Sequence, residues 1–153
     1  MEVKTIKKID SDILREVGAL SRAIHTISDT KYKKLKLQKG QFIFLTRICE
    51  NPGINFVELS DMLRVDKTTT TKAVQKLIEA GYVEKKQDKA DKRGYKLTPT
   101  ERSLTTYDLI IEEENRNIEA CFRNFTGEEK QIVNELVKKM STNIKKDWLE
   151  IKK

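Results

Sequence analysis

Apolar positions recur along this chain in two rhythms. Ile6, Ile9, Ile13, Val17, Leu20, Ile24 and Ile27 are spaced three and four apart, which places them on one face of a long N-terminal helix. The stretch KYKKLKLQKG then carries five lysines in nine residues before Gly40, which predicts a helix end and a connector, with a second helix at QFIFLTRICE. Asn51, Pro52 and Gly53 stop that helix. Asn55 is placed to cap a short helix, FVELSDML, with Phe56, Leu59 and Leu63 on one side. Arg64 and Val65 make a brief turn, Asp66 caps a further helix running to about Ala80, and Gly81 ends it. From Tyr82 to Lys86 and from Tyr95 to Leu97 the composition turns strand-like around the polar segment QDKADKRG, which predicts a two-stranded hairpin. Pro99 is expected to open the next helix, carrying Leu104, Tyr107, Ile111, Ile118 and Phe122. Thr126 and Glu129 have capping-box spacing, and Ile132, Leu136, Met140, Ile144 and Trp148 then repeat every fourth residue.

Two short helices joined by a tight turn form a helix-turn-helix, and a hairpin directly after it is a wing. The expected fold is mainly α with a small β-hairpin wing: a winged helix-turn-helix domain flanked by N- and C-terminal dimerisation helices. The corresponding segments are 1–34 for the N-terminal dimerisation helix, 35–98 for the DNA-binding region and 99–153 for the C-terminal dimerisation helices, all within one integrated domain. At 153 residues the chain is long enough to bury a core without disulfides or structural metals. The terminal helices are one-sided and lack a partner in the middle segment, so they are expected to pack on each other and on a second copy, making a homodimer.

The stretch DKTTTTKAVQKL, residues 66–77, sets four β-branched threonines inside a predicted helix. Relative to alanine the run costs about 2 kcal/mol of helix propensity. On a helical wheel Thr70, Ala73, Val74, Leu77 and Gly81 share the side facing inward. Thr68, Lys72 and Gln75 project oppositely, with Thr69, Thr71 and Lys76 beside them. A face of hydroxyls, an amide and lysines suits a DNA groove. Hydroxyls and helix N-terminal amides bond phosphates, a threonine methyl can touch a thymine methyl, and glutamine can read adenine. The plainer alternative is that Thr68 and Thr69 help Asp66 to cap the helix and the rest is solvated surface.

The preceding short helix, the following wing and the concentrated positive charge favour the DNA reading. The formal net charge is +7, and from Arg64 to Lys96 ten Lys and Arg face five Asp and Glu, so most of the excess sits in about a fifth of the chain. Lys85, Lys86, Lys89, Lys92 and Arg93 surround the hairpin turn. An arginine on a thin loop can enter a narrow minor groove, where negative potential is focused, and Arg93 is the residue placed for this. Asp91 is expected to hold its guanidinium through charge-assisted hydrogen bonds. The candidate DNA-facing set is therefore Lys67, Thr68, Thr69, Thr71, Lys72, Gln75 and Lys76 on the helix, with Lys89, Asp91, Lys92 and Arg93 on the wing.

Other chemistries find little support. His25 is the only histidine, which removes multi-imidazole metal sites and leaves Ser/His catalysis hanging on one residue. Without a glycine-rich phosphate loop or a convergent carboxylate pair, neither an enzyme nor a cofactor is expected. Cys49 shares a face with Phe42 and Leu45, and Cys121 adjoins Phe122, so both read as small core residues. Tyr32, Tyr107, Phe42, Phe44 and Trp148 are core by default, and no ligand site is assigned to them. No apolar run approaches bilayer length, and MEVKTIKKIDSD lacks the apolar segment of a signal peptide, so the expected location is the cytoplasm, away from membranes.

The assembled pattern resembles the MarR family of winged-helix transcriptional regulators over nearly the full length. LKLQKGQFIFLTRI is similar to the start of the family's second helix, and VELSDMLRVDKTTTTKAVQKLIEAGYVEK to its helix-turn-helix. DKADKRGYKLT resembles the wing and its exit, and FTGEEKQIVNELVKKM the start of the last helix. The resemblance implies a homodimer reading a pseudo-palindromic operator on double-stranded DNA, most often as a repressor, and a small-molecule effector that releases the DNA. It assigns Thr68, Thr69, Thr71, Lys72 and Gln75 to the recognition helix and Asp91 and Arg93 to the wing pair. Glu101 departs from the glycine common after the wing, and Gln38 from the small hydroxyl residue before the second helix. Two alternatives stand beside this expectation: a thiol-based redox-sensing regulator using Cys49 or Cys121, and a winged-helix protein-interaction module without specific DNA binding.

Overall fold

The computed structural model describes residues 3–37 and 40–152. Gln38 lies outside the described residues. In chain order come α1 (Ile13–Tyr32), a 3-10 turn (Lys33–Leu35), α2 (Gln41–Glu50), α3 (Phe56–Leu63), α4 (Lys67–Glu79), the antiparallel hairpin β1 (Val83–Gln87) and β2 (Tyr95–Pro99), α5 (Glu101–Cys121) and α6 (Gly127–Lys152). This is the expected winged helix-turn-helix between terminal helices.

The core gathers where the middle elements meet. Leu37, Leu45, Ile48, Leu59, Val74, Leu77, Leu97 and Ile110 are fully buried, joined by Tyr82 and Val83. Two tyrosines tie α1 to α5 and the start of the wing to the turn after α1. Tyr32 donates its hydroxyl to the Ile110 carbonyl at 3.2 Å and Tyr82 donates to the Leu35 carbonyl at 2.6 Å. The hairpin gains a third edge absent from the sequence expectation. Gly53 donates to the Leu97 carbonyl at 2.8 Å and Leu97 to Ile54 at 2.9 Å, a bridge made possible by the positive φ of 91° at Gly53.

Three expectations need correction. The N-terminal helix begins at Ile13 rather than near Ile6, and Ile6 is 86% exposed in non-helical chain. Asp10, Ser11 and Asp12 interrupt the stripe with side chains that compete for backbone amides, and the Ser11 hydroxyl accepts the Ile13 N–H at 3.2 Å. Pro99 does not open α5. It closes β2 opposite Val83, and Thr100 caps the helix by accepting the Ser103 amide at 3.3 Å, with Glu101 in the favourable first-turn position. The inward face of α5 is also not the predicted apolar one. Ser103, Thr106, Ile110 and Glu113 are buried, while Leu104 and Ile118 are about half exposed. Hydroxyl side chains let α5 approach closely because they bond locally, Ser103 to the Thr100 carbonyl at 2.7 Å. Glu113 is neutralised by Lys31 at 2.5 Å and Arg116 at 3.1 Å.

Helix α6 starts with the predicted capping box: Glu129 accepts the Thr126 amide at 2.9 Å and Thr126 accepts the Glu129 amide at 3.0 Å. Its far end reaches α3, where Lys152 pairs with Asp61 at 2.5 Å and Arg64 lies 5.8 Å from the Trp148 ring centre. Along α1 and α6 the stripes Ile13, Val17, Leu20, Ile27 and Ile132, Leu136, Ile144 stay 41–60% exposed on the single chain.

Candidate nucleic-acid interface

The reading head is assembled by caps. Asn55 accepts the Glu58 amide at 2.8 Å while Glu58 accepts the Asn55 amide at 3.3 Å, a full capping box that starts α3. Arg64 turns the chain in the left-handed region, at φ 58°, and its guanidinium bonds the Asp61 carbonyl. Asp66 then caps α4, accepting the Thr69 amide at 2.7 Å and the Thr69 hydroxyl at 3.0 Å. These bonds hold its carboxyl below the usual carboxylate range.

The threonines divide their work. Ser60 of α3 donates its hydroxyl to Thr70 at 2.7 Å, and Thr70 donates to the Asp66 carbonyl at 3.1 Å, so one buried hydroxyl chain fixes α4 against α3. Thr69 completes the cap, as the plainer reading of the run anticipated, and Thr71 bonds back to the Lys67 carbonyl at 2.9 Å. Both residues remain exposed. Thr70, Ala73, Val74 and Leu77 are buried; Lys67, Thr68, Thr69, Thr71, Lys72, Gln75 and Lys76 are all exposed. Gly81 departs from the wheel: it lies past the helix end, exposed, with φ 81°. Gln75 donates to Glu79 at 3.4 Å, a long bond that leaves its amide ready to exchange partners.

The wing pairs Val83 with Pro99, Lys85 with Leu97 and Gln87 with Tyr95. Its tip is closed by the Asp88 amide on the Gly94 carbonyl and the Gly94 amide on the Asp91 carbonyl, each at 2.9 Å. Asp91 acts on Arg93 differently from expectation. Its carboxylate accepts the Arg93 backbone amide at 3.1 Å, whereas the guanidinium Nε stands 3.7 Å away, an ion pair without a side-chain hydrogen bond. The Arg93 side chain is thus 95% exposed and projects freely. Lys89 and Lys92 are exposed on the same tip.

The structure gathers part of the predicted set around one cleft. Lys67 and Thr71 from the first turns of α4 face Asp91, Arg93 and Tyr95 of the wing across about 490 Å³, with the N-terminus of α3 as its wall. Thr69, Lys72 and Lys76 lie on the other flank of α4, beside Gln41 and Phe44 of α2. Sequence reasoning missed Ser60 as the partner of Thr70, and the Ile54–Leu97 bridge that anchors the wing; both depend on how elements cross.

The remaining candidates are structural. His25 is half-buried with its ring 5.5 Å from that of Phe42. Tyr32, Phe42 and Phe44 are core, and Tyr107 donates to Glu50 at 2.7 Å, which with burial pushes its phenol up to about 12. Cys49 is half-buried beside Ser103, and desolvation pushes its thiol up. Cys121 is exposed on the single chain rather than in the core, at the edge of a cleft it lines with Ile118 near the end of α5. Among the described residues no group of three or more His, Cys, Asp or Glu is arranged to hold a metal, and no helix is long and apolar enough to cross a membrane.

A buried-backed cationic helix beside a basic wing defines a winged helix-turn-helix of the nucleic-acid-reading class. Residues 37–95 match the model of the MarR family. The chain is 40% identical over 143 residues to the HTH-type transcriptional regulator YybA of Bacillus subtilis (strain 168), covering 94% of this chain and 95% of that one. It superposes on a MarR protein from Peptoclostridium difficile with a TM-score of 0.91 at 69% identity, covering 99% of both chains. A MarR family regulator of Listeria monocytogenes, solved in complex with a 26mer DNA, matches with a TM-score of 0.89 at 40% identity, covering 96% of this chain and 95% of that one. The chain belongs to the MarR family of transcriptional regulators, a family of DNA-binding dimers and not of enzymes.

Proposed function

We propose that the protein is a cytoplasmic, homodimeric repressor that binds a pseudo-palindromic operator through the exposed face of α4 and the wing, and lets go when a small molecule binds. One observation carries the reading: the seven polar residues from Lys67 to Lys76 assigned to DNA are all exposed, while their helix is anchored from behind by Thr70, Val74 and Leu77. The Listeria relative, solved in complex with a 26mer DNA, supports duplex DNA as the partner. Segments 1–34 and 99–153 supply the dimer contacts, their exposed apolar stripes being the surface a second copy covers. The ligand response is supported by a mainly apolar cavity of about 440 Å³ between α1, α2, α5 and α6, lined by Leu20, Ile24, Phe42, Ile118, Phe122 and Val137, where α6 meets the body carrying the reading head. An occupant there shifts the spacing of two reading helices that must sit roughly 34 Å apart to enter successive major grooves.

Selection of bound fragments from the source genome tests the whole reading. Enrichment of one imperfect inverted repeat is expected. Binding that tracks charge alone, with no enriched sequence, identifies a protein-interaction module instead. Desolvation of the Cys49 thiol lowers its thiolate fraction, which argues against Cys49 as the trigger of a redox response. Unchanged operator affinity after peroxide treatment is the matching result.

A further inference from the structure

Strand pairing separates two adjacent lysines of the wing. Side chains alternate across a strand, so Val83, Lys85 and Gln87 share a face with their partners Pro99, Leu97 and Tyr95, whereas Glu84 and Lys86 point to the other side. Val83 and Leu97 are buried, which identifies the shared face as the one turned toward the helices. Lys85 therefore runs along the inner side of the wing. Its ammonium sits 4.3 Å from the Tyr95 ring centre and 5.8 Å from that of Phe56, the first residue of α3. Lys86 instead pairs loosely with Glu84 at 3.7 Å, in solvent.

Two aromatic faces around one ammonium spare it the entropy of a free lysine and aim it. The direction is into the cleft between α4 and the wing, which Lys67 and Arg93 also line. Asp88 and Asp91 line the same cleft, but each is turned to its own loop: Asp88 accepts the Ala90 amide at 2.9 Å and Asp91 the Arg93 amide at 3.1 Å. Three cations thus line the cleft, while its two carboxylates are hydrogen-bonded to the wing tip and Asp91 also stands 3.7 Å from the Arg93 guanidinium.

When a helix lies in a major groove and a wing tip in the neighbouring minor groove, the sugar-phosphate strand dividing the two grooves passes between them. We propose that this cleft is a backbone-phosphate seat, with Lys85, held by Tyr95 and Phe56, as the residue that receives the phosphate and fixes the register of the reading helix. The inference rests on the DNA-binding reading above and assigns to Lys85 a positioning role that reads no base.

Fluorescence anisotropy of the full-length protein on a genome-selected duplex and a scrambled duplex, across a potassium chloride series, tests it. Lys85→Ala is expected to weaken both duplexes on the order of tenfold and to reduce the salt slope by about 1.8 for a dimer, leaving the ratio between duplexes unchanged. Lys85→Arg restores the slope, and Lys86→Ala changes it little. A neutral methylphosphonate walked along the selected duplex should weaken the wild type at each contacted phosphate, and Lys85→Ala should lose that sensitivity at one position per half-site. A Lys85→Ala protein with the wild-type slope, or a Lys86→Ala protein with an equal loss, overturns the seat while leaving the regulator reading intact. A wild type that does not distinguish the two duplexes overturns the regulator reading and the seat together.

Discussion

Thr70 is the residue where the threonine run becomes structural. Its hydroxyl receives a bond from Ser60 and gives one to the Asp66 carbonyl, with both side chains buried. Thr70→Val keeps the shape but leaves the Ser60 hydroxyl unpaired, which costs about 1 to 3 kcal/mol. Ser60→Ala with Thr70→Val removes both polar groups, so the double variant should be more stable than the sum of the singles predicts, by about 1 kcal/mol. Urea denaturation of the four proteins measures this coupling; strict additivity would show that the two hydroxyls do not act as a pair. Gln75 belongs to the other face. It sits mid-helix with its amide only loosely held by Glu79, so Gln75→Ala should lose about 1 to 3 kcal/mol on the preferred operator and relax base preference at one position per half-site. Arg93→Ala, by contrast, should weaken binding most where the minor groove is narrow, since an exposed guanidinium on a thin tip responds to groove width. Competition binding with A-tract and non-A-tract flanks distinguishes these outcomes.

At the scale of elements, α4 depends on its cap. Asp66 accepts the Thr69 amide and hydroxyl, and these bonds depress its folded pKa below the ordinary 3.8. Stability from this group is therefore complete above the unfolded pKa and is lost as pH falls through the lower folded value. Asp66→Ala should melt below the wild type at pH 7, and the gap should close below pH 3.8 as the wild-type carboxyl takes up its proton; thermal melts followed by circular dichroism across that range show whether it does. This cap was legible in the sequence because capping is local: Asp66, Asn55 and the Thr126–Glu129 box are each read within four residues. The inward face of α4 was legible for the same reason, since one helix period decides it. What escaped was set by contacts between distant segments. Pro99 is acceptable at a helix start or a strand end, and pairing with Val83 decided for the strand. The buried face of α5 carries Ser103, Thr106 and Glu113, which no hydrophobic pattern selects. Its burial is permitted by Lys31, far away in sequence. At the wing, the sequence could show the cations but not their sides; register placed Lys85 inward and Lys86 outward.

For the whole molecule, the apolar stripes of α1 and α6 are the feature the single chain does not explain. Leu20 and Leu136 are 51% and 53% exposed, and fully burying a leucine contributes about 1.5 to 3 kcal/mol relative to leaving it in water. These stripes are the surface we propose a second copy covers, and a lysine at the centre of that contact would have to be buried without a counter-ion. Leu20→Lys with Leu136→Lys should therefore shift the protein from dimer to monomer in sedimentation velocity at micromolar concentration. The winged part should stay folded, because the buried core around Leu45, Ile48 and Leu97 does not include either substituted leucine. Operator affinity should collapse toward that of a single reading head, because the second head no longer binds as an intramolecular event at high effective concentration. The salt slope should fall to about half, as half the phosphate contacts are lost. A doubly substituted protein that still sediments as a dimer places the interface elsewhere than these stripes. One that becomes monomeric yet keeps the wild-type slope shows that a single head makes all the DNA contacts, which contradicts two-fold reading of a palindrome.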